Sequence, residues 1–193
     1  VENAVTGDLL GRLWAAVDRL HALAAGKKYI EKDGFLFLTN CVVEDDVFLE
    51  LMENPATFPL VWDMLGWNIF LYHSHLNVTP PAPADAKREK KTLGWHQDSG
   101  RVNMDLEEHP RPRVSLKVAY WLTDTLVENC APMWVIPGHQ REDSMKLPED
   151  KVSDPAGAMP LKVKAGSATF FERRTWHAAS PNWSELTRKV VFM

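Results

Sequence analysis

Cysteine is almost absent from this chain. Cys41 and Cys130 are the only two in 193 residues, and they lie far apart. One bridge is arithmetically possible. Free thiols in a reducing compartment fit better, because nothing in the chain resembles a small secreted scaffold stapled by several bridges. Long apolar runs are missing as well. No stretch reaches the roughly 18 apolar residues that a membrane-spanning helix needs, so none is expected. Basic runs are nearly absent. "KREKK" at 87–91 follows "TPPAPAD" and reads as a solvated loop, and the net charge is −4, so nucleic acid is a poor partner. The opening "VENAVTGD" has neither an initiator Met nor a signal-like apolar stretch. These absences point to a cytoplasmic protein. The missing Met implies a fragment, or the ordered part of a longer chain.

What is present is ordinary for a folded protein: 45% apolar and 25% charged residues. The length suits one domain with a single core. Residues 8–25 carry Leu9, Leu13, Trp14, Val17, Leu20, Leu23 and Ala24 at helical spacing, with Asp8 placed to cap the N-terminus. Residues 44–53 and 57–65 read as two more helical pieces, and "DGFLFLTN" as a short extended one. From Trp67 onward the texture is β. "WNIFLYHSHLNV", "TLGWHQDSG", "RVSLKVAYWLTD", "APMWVIPG", "MPLKVKAGSATFFE" and "RKVVFM" are short, rich in branched or aromatic residues, and several are separated by Gly or Pro. Helices first and then a run of strands predict a mostly β architecture with flanking helices, a two-sheet jelly roll. The expected division is a single domain over 1–193, helical to about 65 and jelly roll from about 66. Residues 79–86 and 100–112 are expected to be loops.

"GWHQDSG" at 94–100 carries the chemistry. On a strand, His96 and Asp98 point the same way and Gln97 the other. An imidazole and a carboxylate on one face can take two adjacent metal positions. His177 in "FFERRTWHAASPN" supplies a third ligand, completing the two-His, one-carboxylate facial triad of non-haem Fe(II) oxygenases. Alone, His–x–Asp is better read as a hydrogen-bonded pair on a strand. Arg188 adds context: in "TRKVVF", Arg188, Val190 and Phe192 share one face, with Lys189 opposite. An inward Arg needs an anion, and its fork suits a carboxylate. A salt bridge to an acid of the protein, or Lys189 turned inward instead, remains open on this evidence.

"GWHQDSG", "WLTDTLVENCAPMWVIPGHQ", "AGSATFFERRTWHAASPN" and "TRKVVF", in that order, resemble the phytanoyl-CoA dioxygenase family of Fe(II)/2-oxoglutarate-dependent oxygenases. The likeness runs from about Trp67 to the end. It implies a double-stranded β-helix core buttressed by the N-terminal helices. It implies Fe(II) on His96, Asp98 and His177, and 2-oxoglutarate with its far carboxylate on Arg188. O2 takes the last metal position, and succinate and CO2 are released as a small organic or lipid-like substrate is hydroxylated. The family often touches the cosubstrate from the preceding strand, where His75 and Asn77 stand. Related halogenases carry a small residue where Asp98 stands, so oxygenation is implied. Two motifs depart from the family: Glu128-Asn129-Cys130 replaces Glu-Asn-Gly, and Pro137-Gly138-His139-Gln140 replaces "PGSH".

Other residues carry weaker expectations. Trp95 flanks a ligand and can wall off water, while Arg101 and Asn103 are placed to meet substrate. His73 and His75 are better read as packing than as a second metal pair. Lys117 is an odd charge in a β segment, expected to snorkel to the surface rather than to approach a carboxylate. One of Arg173 and Arg174 is expected to pair with an acid and the other to be solvated; a role on a substrate anion has no independent support in the sequence. Trp67, Phe70, Met104, Trp121 and Trp134 are available to line an apolar pocket. Two competitors remain. A cupin-like metalloprotein has no need of Arg188, and an inactive binding subunit has no need of an intact triad.

Overall fold

Strand alternation sorts the apolar residues into two cores, and the computed structural model, which describes residues 1–24, 34–86, 93–109, 111–149 and 153–193, shows both. Five strands form the larger sheet. They are β1 (Leu36–Thr39), β2 (His75–Thr79), β4 (Leu116–Trp121), β7 (Ala168–Glu172) and β9 (Arg188–Phe192), in the order β1-β2-β9-β4-β7. The smaller sheet orders β3 (Leu93–His96), β8 (His177–Ala179), β5 (Met133–Val135) and β6 (Met159–Pro160) as β3-β8-β5-β6. Neighbouring pairs are antiparallel throughout. This is the expected jelly roll.

On the outer face of the larger sheet, Leu36, Leu76, Val78, Val118, Tyr120, Ala168 and Val191 pack with helix α1 (Gly7–Ala24) through Leu13, Ala16, Val17 and Leu20. The inner face turns Ala119, Trp121, Phe171, Val190 and Phe192 toward Met133 and Val135 of the smaller sheet. A single strand can therefore serve both layers. On β9, Arg188 and Val190 face inward, while Lys189 reaches out to Asp18 of α1 at 2.6 Å and lies over the Trp14 ring at 4.6 Å. Trp14 also donates its indole N–H to the carbonyl of Leu122.

The helical part differs in detail from the sequence expectation. Asp8 stands in the first turn of α1, where it pairs with Arg12 rather than capping the start. Residues 44–53 hold a 3-10 turn followed by α2 (Leu49–Met52). Helix α3 (Phe58–Leu65) begins with Pro59 in its first turn and ends at Gly66, whose φ is +82°. Tyr120 ties the sheet to this layer. Its hydroxyl donates to the Leu51 carbonyl at 2.8 Å and meets the Thr57 hydroxyl at 2.6 Å. In "WNIFLYHSHLNV" only residues from His75 onward form a strand. Trp67 and Phe70 are 78% and 82% exposed, so the aromatic run that suggested a strand is largely at the surface. The basic run 87–91 falls outside the described residues. Both cysteines are free and buried, as expected.

Gly166 is a conformational requirement. Its φ is +83°, its N–H donates to Trp121 and its carbonyl accepts from Val5, so an added Cβ would collide with the Val5 carbonyl oxygen. Gly166→Ala is expected to cost about 2 kcal/mol or more. Gly11, exposed in α1 with open space around it, should instead gain roughly 0.5–1 kcal/mol as Ala. Urea unfolding of the two variants should therefore move the midpoint in opposite directions.

Candidate active site

His96 ends β3 and His177 begins β8, and the two residues pair directly across the ladder. Their ring centroids are 4.2 Å apart. Asp98 lies beyond the strand, so alternation alone does not hold it there. Its N–H donates to the Arg173 carbonyl at 2.8 Å, and its own carbonyl accepts from Asn103 Nδ2 at 3.1 Å. Ser99 then adopts a left-handed conformation and the chain turns into α4 (Gly100–Asp105), a short helix where a loop was expected. Gln97 faces away, as predicted, and donates to the carbonyls of Glu142 and Arg174.

Each imidazole is tethered through Nδ1. His96 meets the Gly94 carbonyl and His177 the Thr175 carbonyl, both at 2.8 Å. A carbonyl only accepts, so Nδ1 carries the proton and Nε2 keeps a free lone pair. Both Nε2 atoms turn to Asp98 Oδ1, at 3.9 and 3.8 Å. The three ligand atoms lie within 4.8 Å of one another. A carbonyl behind each ligating histidine is the usual way to orient it toward a metal. Burial is the main reason the His177 pKa falls, to about 4, so the ring is neutral near pH 7. At Asp98 burial pushes the pKa up, but His177, Lys117 and His96 outweigh it and hold the carboxyl below its ordinary value.

Lys117 is not at the surface. It stands on the inner face of β4, directly opposite Phe171, with Nζ 2.6 Å from Asp98 Oδ2. The ammonium also lies over the rings of Phe171 and Phe192, at 5.6 and 5.8 Å. It occupies one carboxylate oxygen and leaves the other facing the histidines. Nothing in the sequence singled out this role. The usable signal was a charge at an inward position of a strand whose inward neighbours, Ala119 and Trp121, are apolar.

Arg188 is 4% exposed. It donates to the Ala131 carbonyl at 3.1 Å and the Thr79 hydroxyl at 2.8 Å, and its buried Nε has no partner. Burial pushes its pKa down to about 10, so it stays charged. Among the described residues it has no acidic partner. That removes the internal salt bridge as its reason for being inside.

The other expected residues are more scattered. His75 is buried on the inner face of β2, stacked on Phe192 at 4.4 Å and bonded to His73 at 3.0 Å. Asn77 shares that face, opposite Val190, with Oδ1 buried and unpartnered. Asn103 is 6% exposed and spends its amide on the Asp98 backbone, so it braces Asp98. Arg101 is exposed and paired with Asp105. Trp95 precedes His96, half-buried, with its indole N–H buried and unpartnered. Trp121 is core, and the Met104 side chain lies outside the described ones. Arg174 is the one that pairs with an acid, Glu172, but the other, Arg173, is 2% exposed rather than solvated.

Comparison with known proteins decides the family. The phytanoyl-CoA dioxygenase (PhyH) family matches residues 8–190. The chain belongs to that family of Fe(II)/2-oxoglutarate-dependent oxygenases. Among PhyH-like relatives, the ectoine dioxygenase of Bordetella parapertussis is 24% identical, over all of this chain and 69% of its own length. Two solved structures show the same double-stranded β-helix. One is EctD from S. alaskensis with 2-oxoglutarate and 5-hydroxyectoine (TM-score 0.73, 19% identity, covering 100% of this chain and 69% of that one). The other is the epimerase SnoN with Fe3+, alpha ketoglutarate and nogalamycin RO (TM-score 0.73, 18% identity, 100% and 75%). No helix among the described residues is long and apolar enough to cross a membrane.

Burial of His75 has a measurable consequence. Its pKa falls to about 3, first through burial and then through Lys117, against about 6.5 in an unfolded chain. Above pH 6.5 neither state is protonated there and the contribution to stability is complete. As pH falls from 6.5 toward 3 the unfolded chain takes up a proton that the folded chain refuses, so stability drops, by up to a few kcal/mol. His177 acts in the same direction. Urea midpoints of the metal-free protein should fall across this window, and less steeply in His75→Phe, which keeps the stack on Phe192.

Proposed function

We propose that this PhyH-family chain is an Fe(II)/2-oxoglutarate-dependent hydroxylase of a small organic substrate, with His96, Asp98 and His177 holding the metal and Arg188 holding the far carboxylate of 2-oxoglutarate. The observation that carries the reading is a buried guanidinium with no acid among the described residues, Arg188, on the inner face of the larger sheet, while the smaller sheet bears a preoriented His–Asp–His cluster. The donor set fits iron: two imidazoles and one carboxylate oxygen, with the remaining positions open. A metal bond of about 2.1 Å lets one ion reach donors 3.8 and 3.9 Å apart.

Bound there, iron with 2-oxoglutarate and O2 supplies oxidative decarboxylation to succinate and CO2, coupled to oxidation of a substrate C–H bond. The chain supplies orientation and shelter. The carbonyls of Gly94 and Thr175 fix both imidazoles, and Lys117 restrains the carboxylate. Phe171 and Phe192 make the inner wall apolar. Of the two expected cosubstrate contacts, His75 already spends Nδ1 on His73, and Asn77 meets a carboxylate through its Nδ2 donor rather than through the unpaired Oδ1. Asp98 supplies the carboxylate, which favours oxygenation over halogenation. The test is anaerobic titration of metal-free protein with Fe(II) and then 2-oxoglutarate. The weak visible charge-transfer band of the chelate is expected. Iron binding without the band would leave a metal site that does not use 2-oxoglutarate.

A further inference from the structure

Among the described residues, the fold buries two guanidinium groups that have no carboxylate partner, and 2-oxoglutarate accounts for only one of them. The second belongs to Arg173. It is 2% exposed, and its one side-chain hydrogen bond among the described residues runs from Nη2 to the Pro112 carbonyl at 2.9 Å. Nε and Nη1 are buried with no partner. The nearby acids are taken. Glu172 is held by both nitrogens of the Arg174 fork, at 2.7 and 2.9 Å. Asp143 is paired with Arg111 at 2.7 Å and with His109, and Asp98 with Lys117 at 2.6 Å. A buried cation left in this state costs several kcal/mol unless something compensates it.

The geometry of the group says what would compensate it. A guanidinium has two edges that can grip an oxyanion, Nε with Nη2 and Nη1 with Nη2. The Pro112 bond uses one Nη2 hydrogen, and so spoils at most one edge. The other edge keeps both donors, the arrangement that matches a carboxylate or phosphate with two parallel bonds.

Its position ties it to the site. The Arg173 backbone carbonyl accepts the Asp98 N–H at 2.8 Å. Its guanidinium meets Pro112, at the far end of the segment that leaves the site after Asp98, and Arg101 and Asn103 of that segment were expected to meet substrate. Tyr72 lies within electrostatic range of Arg173 and its ring is next to His73, which bonds to His75 on the inner face. Tyr72 is itself exposed, so an aromatic ring stands at the surface on this side.

We propose that Arg173 is the anchor for an oxyanion on the substrate, so that the enzyme acts on a small organic acid or phosphate monoester with an apolar, ring-sized body. The proposal rests on the reading of Arg188 as the 2-oxoglutarate anchor.

The test uses protein loaded with metal and 2-oxoglutarate under nitrogen. Phenylacetate, phenyl phosphate and the neutral phenylacetamide are titrated by calorimetry into wild type, Arg173→Gln and Arg173→Lys. The 2-oxoglutarate affinity of each protein is measured separately. Wild type should bind at least one of the two anions more tightly than the amide, and which one identifies the oxyanion. Arg173→Gln should lose that preference, with affinity down about tenfold or more, while 2-oxoglutarate affinity stays unchanged. Arg173→Lys should recover part of it. If Gln weakens folding, the Lys variant alone decides, since it keeps the charge and loses the fork. No preference for the anions in wild type, or one that survives in both variants, overturns the proposal. So does a loss of 2-oxoglutarate binding with the probe preference intact, which would make Arg173 part of the cosubstrate site. Failure of wild type to bind 2-oxoglutarate at all is a different result, and it overturns the functional reading itself.

Discussion

Arg188→Ala protein is expected to bind Fe(II) as wild type does and to require about 100-fold more 2-oxoglutarate to develop the charge-transfer band. The reasoning starts from what Arg188 touches. Its two hydrogen bonds go to a neutral carbonyl and a hydroxyl, so they do not explain a charge that is 4% exposed. An incoming carboxylate gains a charge-assisted contact in a place sheltered from water, where such contacts are worth more than at a surface. Removing the cation forfeits that contact and leaves the carboxylate to be desolvated for nothing. Arg188→Lys separates charge from shape. It should recover only part of the affinity, because an ammonium keeps the charge and loses the two-point fork. An Arg188→Ala protein with wild-type 2-oxoglutarate affinity would refute the assignment.

The triad variants should differ among themselves in a way that a shared loss of activity would hide. His177→Ala and Asp98→Ala are both expected to lose at least about 100-fold in Fe(II) affinity, and turnover with it, since each removes one of the three proposed metal ligands. Their stabilities should diverge. His177→Ala removes a neutral ring whose polar contact is one bond to the Thr175 carbonyl. Asp98→Ala removes the partner of Lys117, whose side chain is only 19% exposed, and strands an ammonium against Phe171 and Phe192. That should cost roughly 1–3 kcal/mol more than the loss of the carboxylate alone. The double variant Asp98→Ala/Lys117→Met, with an apolar side chain of similar length, should recover that stability without recovering metal binding. Calorimetric metal titration and urea unfolding on the same four proteins check both halves. Equal stability of Asp98→Ala and wild type would show that the ion pair is not what holds Lys117 inside.

Why the metal site was readable and its support was not follows from where the information lies. His96 and Asp98 are neighbours in sequence, and His177 sits in a motif of its own, so local spacing was enough. The β9 face was equally plain, because Arg188, Val190 and Phe192 alternate with Lys189. Lys117, Arg173 and Asn103 are different. Each works through a partner far away in the chain or through a backbone atom, and a side-chain alphabet does not display backbone carbonyls. Lys117 was assigned to the surface because a lone Lys in a strand usually snorkels out. The partner that keeps it in, Asp98, comes from the other sheet. The aromatic run 67–74 misled in the opposite sense. Bulky residues favour strands, but here the chain leaves those rings exposed and pairs only from His75.

The alternation on β9 also separates what this architecture can vary from what it cannot. β9 is hydrogen-bonded on both edges, to β2 and to β4, and both of its faces are buried. Sliding it by one residue would send Arg188 toward α1 and Lys189 into the site, exchanging a fork for a point charge while turning Val190 and Phe192 out of their core. Changes in chain length therefore have to be absorbed in the turn at 180–187 and not in the strand. The loops around the site are free to change, while the position of Arg188, the proposed cosubstrate anchor, stays locked to the parity of one strand.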